Sequence, residues 1–401
     1  MARALIIQLA RLGDLLQTVP AIAALKEEEP CLELDLLCPA PVAKIGRLLP
    51  QIRQVLEWDG TWWRKQAQQA ERSFGFDHVK EAERLLRSST ADRYDRVYVL
   101  NQHPRALLAA SLLGEEMIGP RFDCFDGHLT PWAAYIRRVA TTGISHRVHL
   151  ADAFCGLCQV RPTGQAIAIR QPAEALRADL AEIGRGDGPW IGLIVGAGDP
   201  MRFVPIGVWR ELIARFLSLS PQGRLVLLGD RHETERAQQI QDGLSSSMLG
   251  RVWDLTGRTT LTELASVLSR CERVVGADTG PLHLAAAVGS RVVGWYFAKA
   301  RVHETGPYGS GHVVWQAENV KRPEQELRGS SECGDPMSLT EWPIEATAAY
   351  LTEEAVPGLD GWTMWHSHCD RWGAYFTESQ SDELPPAERV RTWQLLHPVH
   401  I

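Results

Sequence analysis

The chain has 401 residues, of which 45% are hydrophobic and 23% charged, with a formal net charge of −7. Its length exceeds one ordinary core and predicts two globular domains, while the composition excludes a disordered polymer. The acidic balance argues against a nucleic-acid partner, and no apolar run reaches the roughly 18 residues that cross a bilayer.

The N-terminal stretch Met1 to Leu25 fails as a signal peptide. Arg11 and Asp14 interrupt its apolar run and no small-residue cleavage site follows, so a soluble, cytoplasmic chain is expected. It reads instead as a strand (Ala4 to Leu9), a loop, and a helix from Leu15 to Glu29. Strands follow at Leu32 to Leu37, Val55 to Trp58 and Tyr94 to Leu100, with a polar helical stretch from Trp62 to Arg87 between the last two. Helices are expected at Arg105 to Leu113 and Ala151 to Leu157. The second of these carries Cys155 and Cys158, whose spacing is that of metal ligands. With no second such pair, they read as small buried residues, and no metal is expected. Eight cysteines scattered through the chain point to a reducing compartment.

Six prolines and glycines between Arg161 and Gly188 mark an inter-domain junction. A second alternating series then begins. Strands are expected at Ile191 to Val195, Arg224 to Leu228, Val252 to Leu255, Arg273 to Ala277 and Arg291 to Phe297. Helices are expected at Ile206 to Leu217, Glu233 to Leu244, Leu261 to Leu268 and Pro281 to Val288. The rhythm predicts an α/β protein: one domain over 1–165, a second over 186–325, and a tail over 326–401, each domain a parallel sheet covered on both faces. Ligands bind such sheets at the carboxyl ends of their strands. In the tail, Trp342 to Leu351, Trp362 to Phe376 and Pro386 to Leu396 look helical. Trp362, Trp365, Cys369, Trp372 and Phe376 fall at spacings of three or four, as on one buried helix stripe.

Four segments have residue types suited to chemistry. After the Arg273 strand, Asp278-Thr279-Gly280-Pro281-Leu282-His283 opens a helix whose unpaired N–H groups and positive dipole end suit a phosphate; equally, this is a well-capped helix with His283 on its packed face. Asp14 after Gly13 stands at a helix start, as an N-cap or as a general base facing a cleft. Gly196-Ala197-Gly198 lets backbone amides approach a ligand, and Arg202 nearby is a permanent cation, for a diphosphate or for solvent. Thr259 precedes a helix as a cap or as a donor contact. In the first domain, Asn101, His103 and Arg105 follow a strand and, with the polar helices of Trp62 to Arg87, read as acceptor contacts or, more simply, as a surface loop and solvated helices.

Together these segments resemble the ADP-heptose glycosyltransferases of lipopolysaccharide assembly, the heptosyltransferase family (glycosyltransferase family 9). Gly13-Asp14 with Thr18-Val19-Pro20 matches the family's N-terminal signature. Asp278-Thr279-Gly280 with His283-Leu284 and Ala285-Ala286-Ala287 matches its C-terminal one. The resemblance implies a GT-B fold, in which two Rossmann-like domains face each other across a cleft, here with a C-terminal helical tail. It places the catalytic base on Asp14, the donor-site Asp-Thr-Gly on Asp278, Thr279 and Gly280, and a ribose-contacting carboxylate on Glu233. Arg202 stands where family members usually carry Lys. The run Trp295-Tyr296-Phe297-Ala298-Lys299 stands where a Gly-Pro-Thr-like turn is usual.

The expected reaction is inverting, metal-independent transfer of a sugar, with ADP-heptose favoured as co-substrate and no other cofactor. The acceptor is a hydroxyl of a glycolipid core or protein, met in the bacterial cytoplasm or in peripheral contact with the inner membrane. The alternatives are a related transferase or epimerase using a UDP-sugar, or a non-catalytic sugar-nucleotide-binding protein.

Overall fold

The computed structural model describes residues 2–61, 80, 83–87, 90, 93–101, 103–120, 130–142, 148–172, 177, 180–298, 300–318, 341–379 and 387–397. Two sheets organise the chain. The first has strands β1 (Arg3–Ile7), β2 (Glu33–Pro39), β3 (Ile52–Trp58), β4 (Tyr94–Val99) and β5 (Gly114–Ile118), in the order β3-β2-β1-β4-β5. All its pairings are parallel. Central β1 is buried at four of its five positions, whereas the outer strand β3 mixes buried residues with exposed Arg53, Gln54 and Glu57, as the two environments require.

The second sheet holds β6 (Trp190–Ile194), β7 (Arg224–Leu228), β8 (Val252–Asp254), β9 (Arg273–Ala277), β10 (Arg291–Tyr296), β11 (Val313–Ala317), β12 (Trp362–Asp370) and β13 (Gly373–Glu378). Its order is β13-β12-β11-β10-β9-β6-β7-β8. From β8 to β11 the strands are parallel, and β11, β12 and β13 pair antiparallel. In both sheets the strand order reverses at the central strand, between β1 and β4 in one and between β6 and β9 in the other. Those reversals open a crevice at the carboxyl ends of the strands.

Local sequence explains the covering helices. In Ile206–Leu219, Trp209, Leu212, Ile213, Phe216 and Leu217 are buried at helical spacing. Leu261–Leu268 begins with a capping box in which Thr260 and Glu263 serve each other's backbone. The single helix expected from Leu15 to Glu29 is two, Leu12–Leu16 and Val19–Glu28. Pro20 lacks an N–H and its ring excludes the preceding turn, so the helix restarts with proline in its first turn.

The tail contains two of the expected helices, Ile344–Leu351 and Ala387–Leu396. The stretch from Trp362 to Phe376 is not helical: it is the β12–β13 hairpin, turning through Asp370 to Gly373, with Gly373 at φ 99°. The tail also returns to the first half of the chain. Trp393 is buried with its ring 4.4 Å from that of Trp132, in the Pro131–Thr142 helix. Arg389, fully buried, forks onto Asp370 with two hydrogen bonds of 2.8 Å. Asp152, in the Leu150–Leu157 helix, accepts from the Tyr308 hydroxyl at 2.7 Å and from the Ala374 N–H at 2.9 Å.

Candidate functional site

The two crevices merge into one cavity of about 630 Å³, lined from the first half by Arg11 to Asp14 and Gln17 and from the second by the loops after β6, β7, β8 and β9. Small residues let the halves meet. A Cβ on Gly13 would lie 3.1 Å from His283 Cδ2, and one on Gly280 would lie 3.1 Å from Leu12 Cβ. The N-terminal turns of the Leu12–Leu16 and Gly280–Ala287 helices therefore abut. Asp14 from one half and the Asp278-Thr279-Gly280 turn from the other line the same space.

Asp14 caps its own short helix, its carboxylate accepting from the Arg11 N–H at 3.2 Å. Burial raises its pKa above the ordinary aspartate value, opposed by that amide bond and by the nearby His283 and Arg11 side chains. A carboxylate so placed is a better proton acceptor than one in water. Across the cavity, Asp278 is the hub. Arg202 Nη1 donates to its carboxylate at 2.9 Å and to its backbone oxygen at 2.8 Å, and His283 Nε2 lies 3.5 Å from its other carboxylate oxygen. Thr279 precedes the Gly280–Ala287 helix without its hydroxyl capping it, which leaves that hydroxyl to the cavity.

Glu233 accepts from the Asp230 N–H in a capping box and packs on the loop after β6, where a Cβ on Gly196 would overlap its carboxyl. Burial raises its pKa. Gly196 and Gly198 both line the cavity, as does Thr259. The cap of the following helix comes from the next residue, Thr260, whose hydroxyl accepts from the Glu263 N–H at 3.3 Å. Ile194, Leu228, Leu261 and Leu264 give the β7–β8 side of the cavity an apolar wall. An adjoining cavity of about 350 Å³ shares Arg202, Asp278 and Thr305 with the first and is completed by Asp199, Arg301 and Glu304.

The structure brings together Gly13, Asp14, Gly196, Gly198, Arg202, Glu233, Thr259, Asp278, Thr279, Gly280 and His283. The residues read as acceptor contacts are not among the lining of either cavity. Asn101 braces the β1 loop: its Oδ1 accepts from the Leu9 N–H and its Nδ2 donates to Gln8 Oε1 at 2.6 Å. His103 caps the Pro104–Leu113 helix, with Nδ1 accepting from the Arg105 N–H at 3.2 Å. Gln102, Lys299 and all of Trp62 to Arg87 except residues 80 and 83–87 lie outside the described residues. Sequence reasoning missed Arg11, Gln17, Asp230 and Thr260. Arg11 carried a signal, since it sits three residues before Asp14 in the same strand-to-helix loop. Cys155 and Cys158 are buried, with burial raising both thiol pKa values. Among the described residues no group of three or more His, Cys, Asp or Glu side chains is placed to hold a metal ion. None of their helices is long and apolar enough to cross a membrane.

Residues 82–333 match glycosyltransferase family 9 (heptosyltransferase). The lipopolysaccharide heptosyltransferase 1 of Pseudomonas aeruginosa is 24% identical over 323 residues, covering 78% of this chain and 82% of that one. Among solved structures, the glycosyl transferase family 9 protein of Veillonella parvula superposes with a TM-score of 0.68 at 17% identity, over 88% of this chain and 98% of its own. The E. coli heptosyltransferase WaaC, solved with ADP, gives 0.59 at 22% identity, over 88% and 100%. At these identities the superpositions establish a shared fold.

Proposed function

The chain belongs to glycosyltransferase family 9, and from that premise we propose that it transfers heptose from ADP-heptose to a hydroxyl acceptor, with inversion and with Asp14 as the general base. The observation that carries the reading is the abutment of Gly13 on His283 and of Gly280 on Leu12, which sets the Asp14 carboxylate against the Asp278 turn in one cavity.

The sheet order suggests how a donor would lie. The nucleoside falls over the loops after β7 and β8, its ribose at Glu233 and its base along Leu228, Leu261 and Leu264. The diphosphate falls at the β6/β9 reversal, between Gly196–Gly198 and the first turn of the Gly280–Ala287 helix, where N–H groups and the helix dipole favour an anion. The sugar then points toward Asp278 and Arg202. The acceptor oxygen attacks the anomeric carbon while the bond to the diphosphate breaks. Asp14 takes the hydroxyl proton, and the diphosphate leaves with the bonding electron pair, stabilised by Arg202, the Thr279 hydroxyl and the helix N-terminus. These fixed cations and dipoles lead us to expect turnover that persists in EDTA.

The WaaC structure was solved with ADP, and the Pseudomonas relative is a lipopolysaccharide heptosyltransferase. The first supports an adenine donor and the second a glycolipid acceptor, which we place at the cytoplasmic face of the inner membrane. The test is calorimetric titration with ADP and UDP, followed by transfer from ADP-heptose to heptose-deficient lipopolysaccharide core. Tighter ADP binding and a mass increase of one heptose are expected. Preference for UDP would replace the donor assignment, and binding without transfer to any acceptor would favour a silent sugar-nucleotide sensor.

A further inference from the structure

We propose that Arg11 binds the donor's diphosphate from the acceptor half, so that this subsite is complete only when the two halves face each other. The proposal rests on the donor reading above and adds to it a residue from the opposite sheet.

Arg11 follows β1 and occupies the N-cap position of the Leu12–Leu16 helix with extended backbone, φ −84° and ψ 176°. It is exposed and lines the main cavity. Its guanidinium reaches across the cleft: a Cβ placed on Gly198, in the loop after β6, would lie 3.8 Å from Arg11 Nη1. Gly198 belongs to the small-residue loop on which the diphosphate is expected to rest.

The charges of the cavity explain why a second cation is needed there. Its wall carries the carboxylates Asp14, Asp230, Glu233 and Asp278 against the guanidinium groups of Arg11 and Arg202. Arg202 is already held by Asp278, so much of its charge is neutralised before any ligand arrives. The Arg11 guanidinium makes no ion pair or side-chain hydrogen bond among the described residues. A diphosphate entering beside four carboxylates therefore finds its available counter-charge on the first half of the chain. A guanidinium also presents N–H groups in a planar fork that matches phosphate oxygens, which a lysine does not.

The consequence is that donor binding ties the halves together. A diphosphate held by the β6 loop and by Arg11 spans the cleft and draws the Leu12–Leu16 helix, with Asp14 on it, toward the sugar.

The test uses the full-length chain and titrations with ADP and AMP against wild type, Arg11→Ala and Arg11→Lys. Arg11→Ala is expected to weaken ADP binding about tenfold to a hundredfold and AMP binding by much less, with Arg11→Lys between. The ADP effect should shrink as salt concentration rises. Equal ADP affinity in wild type and Arg11→Ala would overturn the proposal, as would an unchanged ADP affinity with a raised acceptor KM, which would assign Arg11 to an acceptor anion. If wild type binds neither ADP nor UDP, the donor reading itself fails, and the two failures are thereby told apart. Because Arg11 is exposed, matching thermal melts of the variants are expected and separate loss of binding from loss of fold.

Discussion

Asp14 is subject to two opposing demands. Burial raises its pKa, which favours proton capture, while the Arg11 amide and the His283 and Arg11 side chains favour its charged form. Asp14→Asn is expected to lower kcat by about a hundredfold to ten-thousandfold and to leave donor affinity near that of wild type. The pH profile of kcat/KM should show an acid limb above the ordinary aspartate range, absent in the variant's residual activity. A carboxyl whose folded pKa is raised gives stability that is full below its unfolded pKa and lost as pH rises through the folded one. Neutral Asn retains an oxygen for the Arg11 N–H, so the variant should melt at or above the wild-type temperature near pH 7, read by calorimetry. At this scale the sequence was informative where a residue's neighbours are local: Asp14, Glu233 and Asp278 each follow a strand by a few residues. It was not informative for Asn101 and His103. Asn101 is claimed by Gln8 and Leu9 only once β1 and β4 lie side by side, whereas His103 caps the next helix by a local bond to the Arg105 N–H that residue type alone did not single out.

The geometry between elements depends on the contact of two helix starts. Gly13→Val would put a branched side chain where a Cβ alone would lie 3.1 Å from the His283 ring. The Leu12–Leu16 helix must then back away from the Gly280–Ala287 helix and carry Asp14 with it. A displacement on the order of 1 Å suffices to lower kcat about a hundredfold, and because Arg11 moves with this helix, ADP affinity should fall too, by no more than Arg11→Ala costs, in titrations. Most elements were legible from hydrophobic period, since β7, β9 and the Leu261–Leu268 helix fall where the pattern placed them. The β12–β13 hairpin was not. Trp362, Trp365, Cys369, Trp372 and Phe376 satisfy a helical spacing, but the same residues are aromatic or otherwise compatible with strand. What decided between the periods was β11, an apolar run whose edge offers antiparallel hydrogen bonds to β12. That partner lies more than forty residues earlier in the chain and left no mark in the local pattern.

At the scale of the whole molecule, the tail fastens the second sheet to the first half. Trp393→Ala would remove a buried ring packed on Trp132 and is expected to cost about 3–5 kcal/mol of unfolding free energy, measured by denaturant titration. Asp152 makes this fastening sensitive to pH. Buried between Tyr308 and Ala374, its carboxyl is pushed from an ordinary 3.8 to about 7, chiefly by burial. Between those values the folded chain holds a proton that the unfolded chain releases, so the stability this group contributes is full below the lower value and is lost as pH climbs to the upper one. Melting temperature should therefore decline across that window in wild type, and Asp152→Asn should flatten the decline.

Because the last helix seats on Trp132 and the hairpin's Ala374 bonds to Asp152, these two elements are paired with the lobe that begins the chain as well as with the sheet the hairpin extends. On the proposed placement of the donor, anyone grafting its preference from one relative to another would do best to exchange the stretch from β6 to β11 and leave the terminus with its native host. A transplant running to the last residue would bring a foreign tryptophan to an unmatched seat and spoil the recipient's fold, whatever sugar the new pocket was built to read.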